Sequence, residues 1–310
     1  MPDYSEYIEI KEGKVTFRNH SRGDSTFKCD MLWGEKEARI IILNQTIGEF
    51  KGDNPYTRII INHDSKEVLF QIGIEEHENG LGIVKTELFI KMLSKSWDGW
   101  NVKRFTSGYD DVIKYLKIYS PELESIHNSI MNYIPDYFKN SWDEPKGTLV
   151  SIESNEELKF AIIDKNIADL IVKGESLFKV SYSNHVSDNR LPFGGIHINT
   201  NLKELKFWYS LDSTNMNVWA SKYWNEWEII NSDFDSKEHY KIIGCKSEYE
   251  NSFKNLTELA ITDLKDEVIK TNKEPNIAKD GYRLREREAG LDELSEKFDE
   301  LIKEIMKDNV

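Results

Sequence analysis

The amino-acid sequence predicts an α+β protein: two related domains, each a mostly antiparallel sheet with one covering helix, followed by a helical C-terminal region. Three observations predict it. Short islands of sequence recur, in the same order, in the two halves of the 310 residues. Within each half, runs of β-branched residues give way to apolar residues at helical spacing. Beyond Cys245 the apolar residues fall at steps of three and four, the period of an amphipathic helix.

The islands are specific. Lys14-Val15-Thr16-Phe17-Arg18-Asn19-His20 is echoed by Lys179-Val180-Ser181-Tyr182-Ser183-Asn184-His185, and Ser94-Lys95-Ser96-Trp97-Asp98-Gly99-Trp100 by Ser221-Lys222-Tyr223-Trp224-Asn225-Glu226-Trp227. Between them, Asp53-Asn54 and Ile59-Ile60-Ile61-Asn62 are echoed by Asp188-Asn189 and Ile196-His197-Ile198-Asn199. Such recurrence assigns residues 1–139 to a first copy, 147–245 to a second and 246–310 to the helical region.

In the first copy, Tyr7, Ile8, Ile10, Val15 and Phe17 alternate with charges around Glu12-Gly13, predicting a hairpin at a sheet edge. Arg39-Ile40-Ile41-Ile42-Leu43-Asn44 and Arg58-Ile59-Ile60-Ile61-Asn62 are continuous β-branched runs, which suit strands covered on both faces. Glu67 to Ile74 reads as a partner strand joined through Asp64-Ser65, so this half is expected to be a meander. From Ile83, Val84, Leu88, Met92, Leu93 and Trp97 mark an amphipathic helix of about four turns. Asp98-Gly99 breaks it, and Trp100 opens a strand; Asn225-Glu226 serves the same turn in the second copy, with Asn225 expected to take the left-handed conformation that Gly adopts easily. Ser120-Pro121-Glu122 starts a helix to about Ile134, because Ser caps and Pro suits the first helical position. Asn140 to Gly147, rich in turn formers, is the predicted linker.

In the second copy, Leu149 to Ile152, Leu158 to Ile163, Phe178 to Tyr182, Ile196 to Ile198 and Leu205 to Tyr209 read as strands, with a helix over Met216 to Tyr223. The Phe27 to Phe50 segment reads as an insertion peculiar to the first copy. In the C-terminal region, Leu256, Leu259, Ile261, Leu264 and Val268 form one stripe and Leu291, Leu294, Phe298, Leu301 and Ile305 another. That last stripe, whose coiled-coil spacing lasts only about two heptads, packs onto its own chain, self-associates or captures a partner.

Composition narrows the function. The net charge of -14 is spread evenly: residues 1–146 carry 19 basic and 24 acidic groups, 147–245 carry 10 and 14, and 246–310 carry 12 and 17. Nucleic-acid binding rests on Lys and Arg displacing phosphate counterions, so no nucleic-acid partner is expected. A basic protein partner fits better, because an acidic surface steers it electrostatically. Cys29 and Cys245 fall at unrelated places, predicting no disulfide framework, and the acidic N-terminus and lack of a long apolar run predict a cytoplasmic protein without a membrane partner.

The polar islands are the candidate chemistry. His20 with Asp53, and His185 with Asp188, pair an imidazole with a carboxylate that could orient a water or nucleophile, the basis of a metal-dependent hydrolase or nuclease alternative. The segment Asn184 to Asn189 with Asn199 and Asn201 resembles the histidine-asparagine endonuclease pattern. A site of that kind needs a metal-binding residue on a following helix, and here another strand follows. Asn, Asp and His also suit strand ends, where they cap backbone groups without any substrate. The seven His and two Cys lack metal-ligand spacing, and Gly80-Leu81-Gly82 and Gly194-Gly195 lack a phosphate-loop pattern, so neither metal nor cofactor is expected.

Trp97 and Trp224 are expected in the core; Trp100, Trp219 and Trp227, with Leu294, Phe298 and Leu301, are the candidate partner-binding residues. The reading that follows is a non-enzymatic acidic module that captures or inhibits a protein partner, as immunity proteins and inhibitors of defence or nuclease systems do. A self-assembling structural protein joined through the C-terminal helices is the third alternative. Function is expected where the copies differ: Phe27 to Phe50, the Gly194-Gly195 loop and the C-terminal helices.

Overall fold

The computed structural model describes residues 4–21, 28, 30–43, 45–50, 57–72, 81–105, 109–125, 147–155, 157–186, 191–209, 216–230, 234–273 and 291–308. Two mixed sheets and their helices make an α+β architecture. The chain divides into two compact units, one of Met1–Ile72, Val84–Arg104 and Thr257–Val310, the other of Gly73–Ile83 and Phe105–Leu256. Of the C-terminal region, residues 257–273 and 291–308 fall in the first of these units. Among the described residues no helix is long and apolar enough to cross a membrane.

The first sheet contains β1 (Tyr4–Lys11), β2 (Lys14–Ser21), β3 (Thr46–Gly48), β4 (Thr57–Asn62), β5 (Glu67–Ile72) and β6 (Asn101–Arg104), in the order β3-β2-β1-β4-β5-β6. The hairpin β1-β2 turns at Glu12 and Gly13, both with positive φ. The expected meander is not what forms: β4 returns beside β1 in parallel, Tyr7 opposite Ile59, and takes β5 antiparallel on its other side. All six residues of β4 are buried, so its isoleucines need cover on both faces and a neighbour at each edge.

Arg39 to Leu43, expected as a strand, lies in helix α1 (Glu35–Leu43). Apolar content misled here, because the preceding Glu35-Lys36-Glu37-Ala38 are helix formers. Ala38 and Ile42, four residues apart, are buried while Ile40 is 55% exposed, which is helical rather than strand alternation. Helix α2 (Leu81–Ser96) buries Val84, Leu88, Met92 and Leu93 as its period requires, and Phe70 of β5 meets Phe89 edge-on at 6.2 Å.

The segment after β6 holds α3 (Tyr109–Leu116). Of the helix predicted from Ser120 to Ile134, Pro121 and Glu122 form a turn that leads into helical Leu123, Glu124 and Ser125; residues 126–134 and the linker from Asn140 to Lys146 lie outside the described residues. The second sheet contains β7 (Thr148–Ser154), β8 (Glu157–Ile163), β9 (Gly194–Asn199), β10 (Glu204–Tyr209) and β11 (Glu228–Ile230), in the order β11-β10-β9-β7-β8. One face packs Val150, Ile152, Ile196, Ile198, Leu205 and Phe207 against α4 (Ile167–Ile171), a 3₁₀ turn (Gly174–Lys179) and α5 (Met216–Tyr223). Phe178 to Tyr182, expected as a strand, runs from that 3₁₀ turn into irregular chain; the Tyr182 hydroxyl bonds back to the Leu177 carbonyl at 2.9 Å, closing the chain on itself rather than on a neighbouring strand. The unit also holds α6 (Ser236–Ile242), capped by Asp235.

Helix α7 (Lys246–Lys273) passes the unit boundary at Leu256, and α8 (Leu291–Asp308) follows it. Within the first unit, buried Lys85 of α2 meets Asp263 at 2.7 Å and Glu267 at 3.0 Å, and Lys265 meets Asp299 of α8 at 2.7 Å. Leu294, Phe298, Leu301 and Ile305 are buried, so the coiled-coil-like stripe is spent inside the chain.

The strand series β2-β1-β4-β5-β6 and β8-β7-β9-β10-β11 share order and sense, with a parallel pair at the centre of each. Their turns agree in detail. Asn62 Oδ1 accepts from the amides of Asp64 and Ser65, and Asn199 Oδ1 from those of Asn201 and Leu202. Asp64 accepts from the Glu12 and Gly13 amides at 2.8 Å, and Asn201 from the Asn155 amide at 3.2 Å. The Gly13 and Glu12 amides hold the Asp64 carboxyl below the usual carboxylate range. The Lys14 and Lys179 islands do not correspond: β2 matches β8, and residues 180–186 are irregular.

Candidate functional site

Each unit carries the same helix-to-strand corner. In the first, Trp97 is 1% exposed and its indole N–H donates to the Met31 carbonyl at 2.9 Å, while Trp100 donates to Glu35 at 2.9 Å. In the second, Trp224 is 1% exposed and donates to the Ile171 carbonyl at 3.0 Å, while Trp227 donates to Glu175 at 3.3 Å. Gly34 and Gly174, both with positive φ, sit one residue before those carboxylates, and a Cβ there would meet Ser96 O at 2.6 Å or Tyr223 O at 3.1 Å. Met31 to Glu35 is thus matched by Ile171 to Glu175, and the Phe27 to Phe50 segment is not wholly an insertion. Gly99 turns with φ 76°, but Asn225 is absent from the described residues of positive φ, so the second turn closes in a different conformation.

What surrounds the outer tryptophan differs. Trp100 is 8% exposed: Lys66 Nζ lies 4.5 Å over its ring and His63 packs edge-on at 5.5 Å. In the second unit Thr200 follows Asn199 where His63 follows Asn62, and Lys203, the counterpart of Lys66, bonds to Glu226 at 3.0 Å. Glu226 stands where the first corner has Gly99. Its carboxylate draws the lysine away from the ring. Trp227 is left half-buried, beside Phe178 at 6.0 Å, and with Lys173, Glu175, Tyr223 and Glu226 it lines a cleft of about 460 Å³. Phe178 is 39% and Tyr223 40% exposed.

A buried polar chain crosses the other face of the second sheet. Ser151 of β7, His197 of β9 and His239 of α6 are all buried; Ser151 Oγ lies 2.8 Å from His197 Nδ1 and 2.7 Å from His239 Nε2, and Trp208 Nε1 lies 3.1 Å from His239 Nδ1. An indole N–H can only donate, so His239 Nδ1 accepts and its proton sits on Nε2. That proton goes to Ser151 Oγ, whose own hydrogen goes to His197 Nδ1. The proton of His197 is then on Nε2, facing Glu153 at 3.7 Å. Donation runs one way from Trp208 towards Glu153, with both imidazoles neutral. Burial, then the Lys206 charge, lowers the His197 pKa to about 4; burial, then the His197 charge, pushes His239 well below its ordinary value.

Gly195 makes this chain possible. It lies in β9 rather than in the loop expected of Gly194-Gly195, and a Cβ on it would fall 2.2 Å from Trp208 Nε1 and 2.4 Å from His239 Nδ1. Gly195→Ala is expected to push indole and imidazole apart and cost about 1–3 kcal/mol in denaturant unfolding. A variant within a few tenths of wild type would show that the bond does not hold α6 to the sheet.

Neither half of the sequence-predicted chemistry converges on this chain. His20 lies in β2, opposite Ser5. Asp53 and Asp188 lie outside the described residues. His185 is exposed, and its neighbour Asn184, with φ 52°, bonds through Oδ1 and its amide to the backbone of Phe160 on the edge strand β8. Trp219 lies in α5, and Trp100 is covered. Among the described residues no group of three His, Cys, Asp or Glu could hold a metal ion. Ser151, His197, Trp208 and His239 were missed because 88 residues separate Ser151 from His239. A signal existed in the polar residue that interrupts Val150-Ser151-Ile152 and Ile196-His197-Ile198, where the first sheet has Ile8 and Ile60.

Comparison with protein-family models, curated proteins and solved structures gives no match.

Proposed function

We propose that this chain is an acidic protein-binding module that captures or inhibits a protein partner, in the manner of immunity proteins and of inhibitors of defence or nuclease systems. The observation that carries the reading is the partly exposed aromatic group of Tyr223 and Trp227 in the cleft, with Phe178 beside Trp227, flanked by Lys173 and the carboxylates of Glu175 and Glu226. Aromatic anchors at the centre of a patch and charges at its rim are the usual anatomy of a protein interface. The net charge of -14 favours a basic partner through steering. The buried Ser151 chain supports the non-enzymatic side of the reading, because Ser151 itself is 0% exposed.

The test is affinity capture from native lysate with the wild-type chain and with Phe178→Ser, followed by mass spectrometry. A basic protein recovered stoichiometrically by the wild type and at least tenfold less by the variant is the expected result. Equal recovery by both removes the aromatic face from the interface; recovery of no protein overturns the binding-module reading.

A further inference from the structure

We infer that the open face of Trp227 is a receptor for a lysine side chain presented by an amphipathic helix of a protein partner. The inference rests on the binding-module reading and adds the chemistry of the docked group. The first unit supplies the precedent. There the outer tryptophan, Trp100, gives its indole N–H to Glu35 and takes Lys66 over its ring at 4.5 Å. Trp227 has the same carboxylate on its N–H, from Glu175, and among the described residues no cation lies over its ring. Lys203, which would supply that cation, is held by Glu226.

The second corner is therefore the first corner with its cation withdrawn. An indole face attracts an ammonium group through the ring quadrupole, more strongly when neighbouring groups strip its water. Glu175 and Glu226 line the same cleft as Lys173, so an incoming ammonium meets two carboxylates and one ammonium as well as the ring. Phe178 and Tyr223 offer apolar surface for the lysine stem.

A helix that presents a lysine to this part of the fold has a precedent in the first unit, at Trp33, whose counterpart is Lys173, rather than at Trp100 itself. Trp33 precedes Gly34 as Lys173 precedes Gly174, and in the first unit Lys297 of α8 donates to the Trp33 carbonyl at 2.8 Å and lies 5.5 Å over its ring. That helix brings its lysine on the rim of a buried Leu294-Phe298-Leu301 stripe. In the second unit Phe178 and Tyr223 remain exposed at the corresponding corner.

The experiment uses the full chain, ¹⁵N-labelled, with the Trp227 indole signal assigned through Trp227→Phe. The probe is a synthetic 18-residue amphipathic peptide that keeps the apolar spacing of Leu291–Asp308 and carries lysine across its polar face; the control carries glutamate instead. The lysine peptide should move the Trp227 signal and leave that of Trp100 in place, while the control moves neither. Glu226→Gly recreates the first corner and frees Lys203 to cover the ring, so it should weaken the peptide at least tenfold without altering the fold. An unmoved Trp227 signal, or Glu226→Gly binding as tightly as wild type, overturns the inference. If a basic partner captured from lysate still binds Glu226→Gly, the module reading stands and the lysine receptor falls.

Discussion

Replacing Trp224 by Ala is expected to cost the second unit about 3–5 kcal/mol, the range for removing a fully buried large aromatic side chain. The ring is 1% exposed, meets Trp227 edge-on at 5.1 Å and Phe178 at 6.2 Å, and its indole N–H satisfies the Ile171 carbonyl at the end of α4. Truncation therefore opens a cavity and strips a helix terminus of a donor at once. Trp224→Phe separates the two losses: most of the ring stays, and the orphaned carbonyl costs about 1–3 kcal/mol. Trp97→Ala should behave alike in the first unit, where Met31 is the acceptor. Urea unfolding followed by far-ultraviolet circular dichroism measures both. A Trp224→Ala variant within 1 kcal/mol of wild type would remove the corner from the elements that hold the unit together.

The second large effect is loss of stability in mild acid. Unfolded histidine takes a proton near pH 6.5, whereas folded His197 refuses it until about pH 4. Between those values the unfolded chain binds more protons than the folded one, so stability falls as the pH is lowered. At about 1.4 kcal/mol per pH unit, His197 alone removes about 3 kcal/mol by pH 4, and all of that stability is present above pH 6.5. His239, whose pKa is lowered further, begins to act at the same upper limit and continues below. A proton on His239 Nδ1 would also face the Trp208 N–H, donor against donor, at a place with no room to turn away.

Carboxylates contribute to acid unfolding too, so the diagnostic quantity is a difference between proteins. His197→Ile puts in the second sheet what the first sheet has at Ile60, and it leaves the Ser151 hydroxyl without its acceptor. The variant should be less stable than wild type at pH 7. That gap should shrink by about 3 kcal/mol at pH 4, because only the wild type carries the titrating ring there. Urea midpoints at pH 7, 5.5 and 4 measure it, and a gap of constant size would show that His197 is not held neutral by burial.

Much of this architecture is legible in the residues alone. A continuous β-branched run marks β4, the three-four period marks α2 and α8, and Trp-x-x-Trp marks a corner that both units carry. Those signals are local, since periodicity and turn chemistry depend on neighbours within a few positions. Arg39 to Leu43 shows where they fail: three isoleucines in a row read as a strand, and the exposure of Ile40 between buried Ala38 and Ile42 shows the helix. The parallel return of β4 to β1 has no local mark either, because it is fixed by which edge remains open once β2 has paired.

The site was less legible than the fold. Trp227 could be singled out in the sequence, but so could Trp100, and the two tripeptides Trp-Asp-Gly and Trp-Asn-Glu gave no ground for preferring one. Tertiary structure separates them by placing Lys66 over one ring and Lys203 on Glu226 beside the other. His239 likewise acquires its meaning from Ser151 and Trp208, which lie 88 and 31 positions away. The sequence by itself determined most of the strands, the helical tail, the repeated corner and the acidic net charge. Only the tertiary structure decided strand order, which tryptophan is covered, and which polar residues meet, because those depend on long-range contacts whose partners leave no periodic trace in the chain.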